Sequence, residues 1–281
     1  MTKRYDIIWL ESVDSTNSEA KRRLSDIDNL SVLSSLSQSE GRGQKGNKWS
    51  STPGENLTFS IVLKFGAEVM DKSLISFQVA AKEQFVLTEI TSLSVVEFLS
   101  RHGIKAQIKW PNDIYVADRK ICGILIENSL RGEHLSSSII GIGLNVNQRN
   151  FDVNLPNPGS MALSSGPGST YDIKECLEEF MNIFTDMLPD IFTDEGRKYI
   201  RERYLKNLWR KDRTAQFIDY TSLPSGHLDG PSNIKKDMSP DSGRRFTGII
   251  RDISSTGNIL IEDHESREIR EFGFKEIGYI L

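Results

Sequence analysis

Cysteine is nearly absent from this chain of 281 residues, and the two present, Cys122 and Cys176, lie far apart with no C-x-x-C partner for either. That excludes a disulfide framework and a cysteine-built zinc site. Histidine is almost as scarce, with four scattered residues at 102, 134, 227 and 264. No long apolar run occurs, and the brief one in the opening "MTKRYDIIWLES" is too short for a signal peptide or a membrane span. An excess of positive charge is also missing. The formal net charge is -4, so nothing in the overall balance favours nucleic acid. These absences predict a cytoplasmic protein with no membrane and no nucleic-acid partner. What is present, 37% hydrophobic residues over this length, is ample core material for one large domain and a small one.

The pattern along the chain is α+β. "YDIIWLESV" reads as a first strand and "DSTNSEAKRRL" as the helix after it, with Thr16 and Glu19 at capping-box spacing. "SVLSSLS" is a weak strand, and "NLTFSIVLKF" alternates as a half-buried one. Residues 72 to 102 carry apolar side chains at helical spacing and close on Gly103. Then "AQIKW", "IYVAD", "KICGILIENSL" and "SSSIIGIGLNVN" follow one another as short strands, the spacing of an antiparallel meander. Helical periodicity returns over 172 to 207. The remainder holds a polar insertion at about 223 to 243 and then short strands with tight turns, which suit a small β-barrel. The expected division is a catalytic-sized domain over 1–207 and a barrel over 208–281.

Chemistry concentrates in a few stretches. "GRGQKGNKW", residues 41 to 49, sets Gly41, Gly43 and Gly46 among Arg42, Lys45 and Lys48. Bare backbone between cations suits a phosphate or a carboxylate. It is not a P-loop, because Asn47 and Lys48 stand where Lys and Ser or Thr are needed. Nor is it a dinucleotide fingerprint, because no helix opens at the glycines. Trp49 ends the loop with an indole that could stack on a flat base or simply fill core. Ser15, Thr16 and Asn17 stand at a helix start, as ligand contacts or as plain caps. "KWPND" places Lys109, Asn112 and Asp113 about a tight turn, either a magnesium and nucleotide corner or a turn built for backbone reasons. "KICGIL" sets Lys120 at the head of an apolar strand with Gly123 inside it. "GIGLNVN" adds Gly141, Gly143, Asn145 and Asn147. Together these glycines describe a sheet face with room for a flat ligand.

In this order, "STN", "GRGxxGxxW", "KWPND", "KxxGIL" and "GIGLNVN" resemble biotin protein ligase, also called biotin acetyl-CoA-carboxylase ligase. The resemblance runs through its motifs from Glu11 to Asn147 and continues to the chain end through the small β domain. It implies a mixed, mainly antiparallel sheet with flanking helices, of class II synthetase type, plus an SH3-like C-terminal barrel. The implied activity has two steps. Biotin and Mg·ATP give biotinyl-5′-AMP and pyrophosphate, and then a lysine of a biotin carboxyl carrier protein takes the biotin.

Carried over residue by residue, the biotin contacts fall on Ser15, Thr16, Asn17, Gln38, Gly123 and Gly141, with Arg42, Gly43, Gln44 and Lys120 holding biotin and the adenylate. Trp49, Asn112 and Asn145 fall at the nucleotide, and Asp113 at the metal. The catalytic group is Lys120, Arg42, Asp113 and Lys109. Gln44 departs from the family, where arginine is frequent. Arg270 and Lys275 are suggested contacts for ATP or carrier. The resemblance is to the form without an N-terminal DNA-binding region, as a monomer or homodimer. Two other readings stay open: a lipoate protein ligase, and an inactive biotin- or nucleotide-binding interaction module.

Overall fold

The structure is a computed structural model that describes residues 4–66, 78–221 and 243–280. It divides into two compact units, Met1–Trp209 and Arg210–Leu281.

The first unit is built on a seven-stranded sheet. Its elements in chain order are β1 (Asp6–Val13), α1 (Thr16–Arg22), β2 (Ser31–Gln38), β3 (Asn56–Lys64), α2 (Phe85–Arg101), β4 (Gln107–Lys109), β5 (Asp113–Val116), β6 (Arg119–Arg131), β7 (His134–Asn145), α3 (Met161–Ser165), α4 (Ile173–Met187) and α5 (Asp194–Lys206). Across the sheet the strands run β1-β2-β3-β7-β6-β5-β4. Among the described strands only the β1–β2 pair is parallel, because α1 crosses between them, and the meander from β4 to β7 is antiparallel as its short turns require.

Period-two alternation gives the sheet two unlike faces. On one, Leu57, Phe59 and Ile61 of β3 lie beside Ile140, Ile142 and Leu144 of β7. This face packs on α2 and α4, with the Phe59 and Phe180 rings edge-to-face at 5.3 Å. On the other, Asn56, Thr58 and Ser60 pair with Asn145, Gly143 and Gly141. The expectation of a half-buried β3 is corrected here: residues 56 to 63 are buried on both sides. The cause is α1, whose Ala20 packs on Leu33, Val62 and Ile139 over the second face.

The helix expected from residue 72 begins at Phe85, after a 3-10 turn at Ala81–Glu83; residues 72–77 of that expectation lie outside the described residues. α2 is enclosed by the sheet, α4 and α5, so even Glu89, Thr91, Ser92 and Ser94 are buried in it. Thr91 and Ser94 hydroxyls donate to carbonyls one turn back. Glu89 meets Arg201 of α5 at 2.5 Å. Burial pushes its carboxyl up to about 7, against the pull of the Arg201 charge. Leu208 and Trp209 stay with the first unit because Ile108 of β4 exchanges backbone hydrogen bonds with Asn207 and Trp209.

The second unit is a five-stranded antiparallel sheet in the order β11-β10-β9-β8-β12. The strands are β8 (Thr214–Asp219), β9 (Arg244–Ile253), β10 (Ile259–Asp263), β11 (Ile269–Phe272) and β12 (Ile277–Tyr279). Phe217, Ile250, Ile259, Ile261 and Phe272 form its core, consistent with a small SH3-like domain. The Arg270 guanidinium pairs with buried Asp219 and lies over the rings of Phe246 and Phe272. The polar insertion lies outside the described residues from 222 to 242.

Candidate active site

The polar, glycine-bearing sheet face collects most of the motif residues. Strand register sets them out in order. Asp113 pairs with Gly123, Gly123 with Gly143, and Gly143 with Thr58; one step along, Leu125 pairs with Gly141 and Gly141 with Ser60. Residues directly paired across antiparallel strands project to one side, so these rows share the face.

Lys120 would point to the opposite face by simple alternation from Gly123. A bulge re-aims it. Ile114 pairs with Cys122 but Tyr115 pairs with Lys120, which leaves one extra residue on β6 and turns the lysine back. Its ammonium reaches Asp113 at 2.6 Å and the Trp49 indole at 5.9 Å from the ring centroid. Its backbone is held on the outer side by Asn157 and Gly159, which bond its N–H and C=O.

Trp49 lies flat on the glycine pair. A Cβ added at Gly143 would sit 2.3 Å from Trp49 Cε2, and one at Gly123 would sit 3.2 Å from Cζ3. The room that these two glycines leave is therefore taken by the indole. Gly141 does the same for Asn17, since a Cβ there would lie 2.2 Å from Asn17 Oδ1. The glycines bring protein side chains onto the sheet, and the ligand surface is the layer above.

The loop glycines have local reasons too. A Cβ at Gly41 would strike the Trp49 carbonyl at 2.2 Å, and Gly46 has φ +85. The loop folds on itself: Trp49 N–H donates to Gly41 O and Gly43 N–H to Asn47 O, around a 3-10 turn at Gln44–Gly46. Arg42 makes a two-pronged pair with Glu127 of β6, at 3.2 and 3.0 Å, and reaches Ser18 at 3.5 Å.

At the start of α1 the expected capping box is not formed. Ser15 is the N-cap and its side chain makes no cap bond, while Glu19 is taken by Arg22 and Arg23. The Thr16 N–H donates instead to Gln38 Oε1 at 2.8 Å. Ser15 N–H is held by Asp14, whose carboxyl the Arg22 guanidinium lowers to about 2. Asn17, 3% exposed, donates to Glu127 and to Leu125 O, and its Oδ1 lies 2.6 Å from Ser60 Oγ. With its amide hydrogens engaged, Asn17 can offer a ligand only its oxygen.

Two motif residues are engaged by their neighbours. Asn112 clamps the "KWPND" turn by exchanging hydrogen bonds with the Ile124 backbone. Lys109 shares the face of Asp113, but its ammonium donates to Tyr115 OH at 3.0 Å and lies over the Tyr115 and Trp209 rings. The turn is also held from α5, where buried Tyr204 donates to Pro111 O. Glu127, Ser60 and Tyr204 were not singled out from the sequence. Glu127 was reachable by alternation, two steps of two from Gly123, whereas Tyr204 carries no sequence signal for its contact.

Three polar atoms in this region are buried without a hydrogen-bond partner: Gln44 Oε1, Trp49 Nε1 and Asn145 Oδ1. Orphaned buried polar atoms are rare in native proteins, and three at motif positions fit a polar ligand there. The site thus offers two cations, an aromatic plate and unsatisfied hydrogen-bonding groups along one strip. From Gly123 to Glu127 it spans about 13 Å by strand rise. Such a strip can hold an extended anion with a flat head.

The sequence profile of the Biotin/lipoate A/B protein ligase family matches residues 9–145. Those residues, a little under half of the chain, resemble that family. The match takes in most of β1, all of β2 through β7, and the motif residues from Ser15 to Asn145. Among its relatives, the bifunctional ligase/repressor BirA of Salmonella typhimurium is 29% identical over 258 residues, which is 92% of this chain and 69% of the relative. The biotin–[acetyl-CoA-carboxylase] ligase of Paracoccus denitrificans is 27% identical over 137 residues, 49% of this chain and 53% of that protein. In fold, the chain is similar to the biotin protein ligase of Aquifex aeolicus, solved with biotin and ATP, which superposes with a TM-score of 0.69 at 24% identity, covering 97% of each chain.

Proposed function

We propose that this chain is an ATP-dependent biotin protein ligase that forms biotinyl-5′-AMP and transfers biotin to a lysine of a biotin carboxyl carrier protein. The observation that carries this reading is the cluster of Lys120, Asp113 and Trp49 around the Gly123–Gly143 pair, on the same strip as Arg42 and Asn17.

In the first step a carboxylate oxygen of biotin attacks the α-phosphorus of ATP and pyrophosphate leaves. Both reactants are anions, so the barrier is lowered by cations that hold them together. Lys120 and Arg42 take that role. Trp49, resting on glycine backbone, gives its other ring face to the adenine. Asn145 Oδ1 and Gln44 Oε1 accept from ribose or base hydrogens. Thr16, Asn17 and Ser60 lie together at the biotin end, with Ser60 Oγ 2.8 Å from Thr16 Oγ1 and 2.6 Å from Asn17 Oδ1. In the second step the carrier amine attacks the acyl carbonyl, AMP leaves, and the amine proton passes to Asp113.

Magnesium fits a limited donor set. Among the described residues no cluster of three or more His, Cys, Asp or Glu side chains is placed to hold a metal. A hydrated magnesium ion on the nucleotide phosphates needs only one or two carboxylates, and Asp113 supplies one. Bound there, it would draw charge from the phosphates.

The test is isotopic pyrophosphate exchange into ATP by the purified chain. Exchange should require biotin and be absent with lipoate. Exchange with lipoate and not with biotin would make the chain a lipoate ligase, and no exchange with either would favour a binding module.

A further inference from the structure

Glu127 is an acidic side chain that bonds both Asn17 at the biotin end of the strip and Arg42 of the glycine loop. Its Oε2 accepts from Asn17 Nδ2 at 2.9 Å and from Arg42 Nη1 at 3.2 Å, while Oε1 accepts from Arg42 Nη2 at 3.0 Å. Nothing in the proposed chemistry uses this carboxylate, yet it sits against the cation assigned to phosphate.

The two bonds differ in kind. Asn17 is buried, and Glu127 with Leu125 O uses its amide hydrogens, so losing that bond would leave a buried donor unpaired. Arg42 is 44% exposed and Glu127 28% exposed at the side chain, which makes their pair a solvated one of small net worth. A guanidinium presents its Nη1–Nη2 edge to one bidentate anion at a time, and here that edge faces Glu127.

We infer that Glu127 is a positioning residue that competes with the ligand's phosphate for Arg42: it holds the guanidinium at the strip and yields its edge when the phosphate arrives, while staying bonded to Asn17. The short reach from the Asn17 bond to the Arg42 bond keeps the loop cation beside the biotin end before phosphate contact. Glu127 touches no reacting atom in this scheme. It sets how tightly the adenylate is held by opposing it.

This rests on the ligase reading, and the experiment separates the two. Binding of biotin alone and of a phosphonate analogue of biotinyl adenylate is measured for the wild type, Glu127→Gln, Arg42→Ala and the double variant, with melting temperature as the check on folding. Gln keeps an acceptor for Asn17 and removes the charge. Glu127→Gln should bind the analogue about two- to fivefold tighter, the loss of one solvated ion-pair competitor, with biotin affinity unchanged within about twofold. In the Arg42→Ala background the gain should vanish. Analogue affinity that is unchanged in Glu127→Gln, or weakened as in Arg42→Ala, would overturn the competition. If Glu127→Gln does not fold, Glu127→Asp, whose shorter arm retreats from Arg42, must show a smaller gain in the same direction or the inference fails. A wild type that binds neither biotin nor the analogue removes the ligase reading itself, and this inference with it.

Discussion

The two faces of the seven-stranded sheet are made from the same strands and answer to different demands. On the helix side, β3 and β7 present leucine, isoleucine and phenylalanine, closed by aromatic contacts from α4. On the other side the same strands present Thr58, Ser60, Gly141 and Gly143, and the layer above is Asn17 and Trp49. One face is stabilised by removing apolar area from water, at roughly 25 cal/mol per Å². The other gives up that gain to bring polar and aromatic groups close to the backbone. A strand read by alternation therefore yields stability on odd or even positions and chemistry on the rest.

The sharpest way to break this division is a pair of substitutions, one on each face. Phe59→Ala removes a fully buried ring and should cost about 3–5 kcal/mol in denaturant unfolding, while the folded fraction keeps its exchange activity. Lys120→Ala should leave unfolding nearly unchanged and lower adenylate formation about a hundredfold or more, since about 3 kcal/mol of charge stabilisation is lost. If both variants lose stability and activity in step, the faces are not separable.

A third substitution sharpens the claim that Trp49 depends on bare backbone. Gly143→Ala puts a methyl 2.3 to 2.7 Å from three indole atoms, so the ring must move. Overpacking costs about 1–3 kcal/mol, and the expected result is an ATP KM raised about tenfold or more with biotin affinity held within about twofold. Equal losses for biotin and ATP would mean that the indole does not serve the nucleotide alone.

Much of this division was legible in the sequence. Alternation in "NLTFSIVLKF" and the glycines of "KICGIL" and "GIGLNVN" marked the second face. The turn "KWPND" marked a corner between strands. What stayed hidden depended on contacts distant in sequence or on local irregularity. Alternation from Gly123 sends Lys120 to the wrong side, because a bulge is a one-residue event with no composition signal in "RKICG". The contacts that Tyr115 and Trp209 make with the Lys109 ammonium carry no signal in "KWPND". The glycines read as space for ligand, whereas the first occupants are Trp49 and Asn17. Thr16 and Glu19 match a capping box in spacing, but Arg22 and Arg23 compete for the glutamate. The arginine-to-glutamate pair that joins the loop to β6 spans 85 positions and could not be read locally.

A smaller effect tests the helix side through pH. Glu89 has its folded-state pKa raised from 4.5 to about 7 by burial. A raised carboxyl pKa means that the folded protein holds a proton the unfolded chain has released. Stability from this group is therefore full below about 4.5 and declines as pH rises toward 7, by up to about 1.4 kcal/mol per unit in that window. Glu89→Gln should flatten this decline in urea unfolding measured from pH 4.5 to 7.5, while adenylate formation keeps the wild-type pH profile. A decline that persists in Glu89→Gln would assign it to other groups.

Transfer itself tests the central claim most directly. The purified chain, a biotin carboxyl carrier domain, ATP, magnesium and biotin are mixed, and the acceptor lysine is read by intact mass. The account predicts a biotin amide on that lysine, dependent on ATP and abolished by replacing the lysine, with no product when lipoate replaces biotin. A lipoyl adduct under the same conditions, or an unmodified carrier beside a chain that binds biotin and ATP, would contradict it.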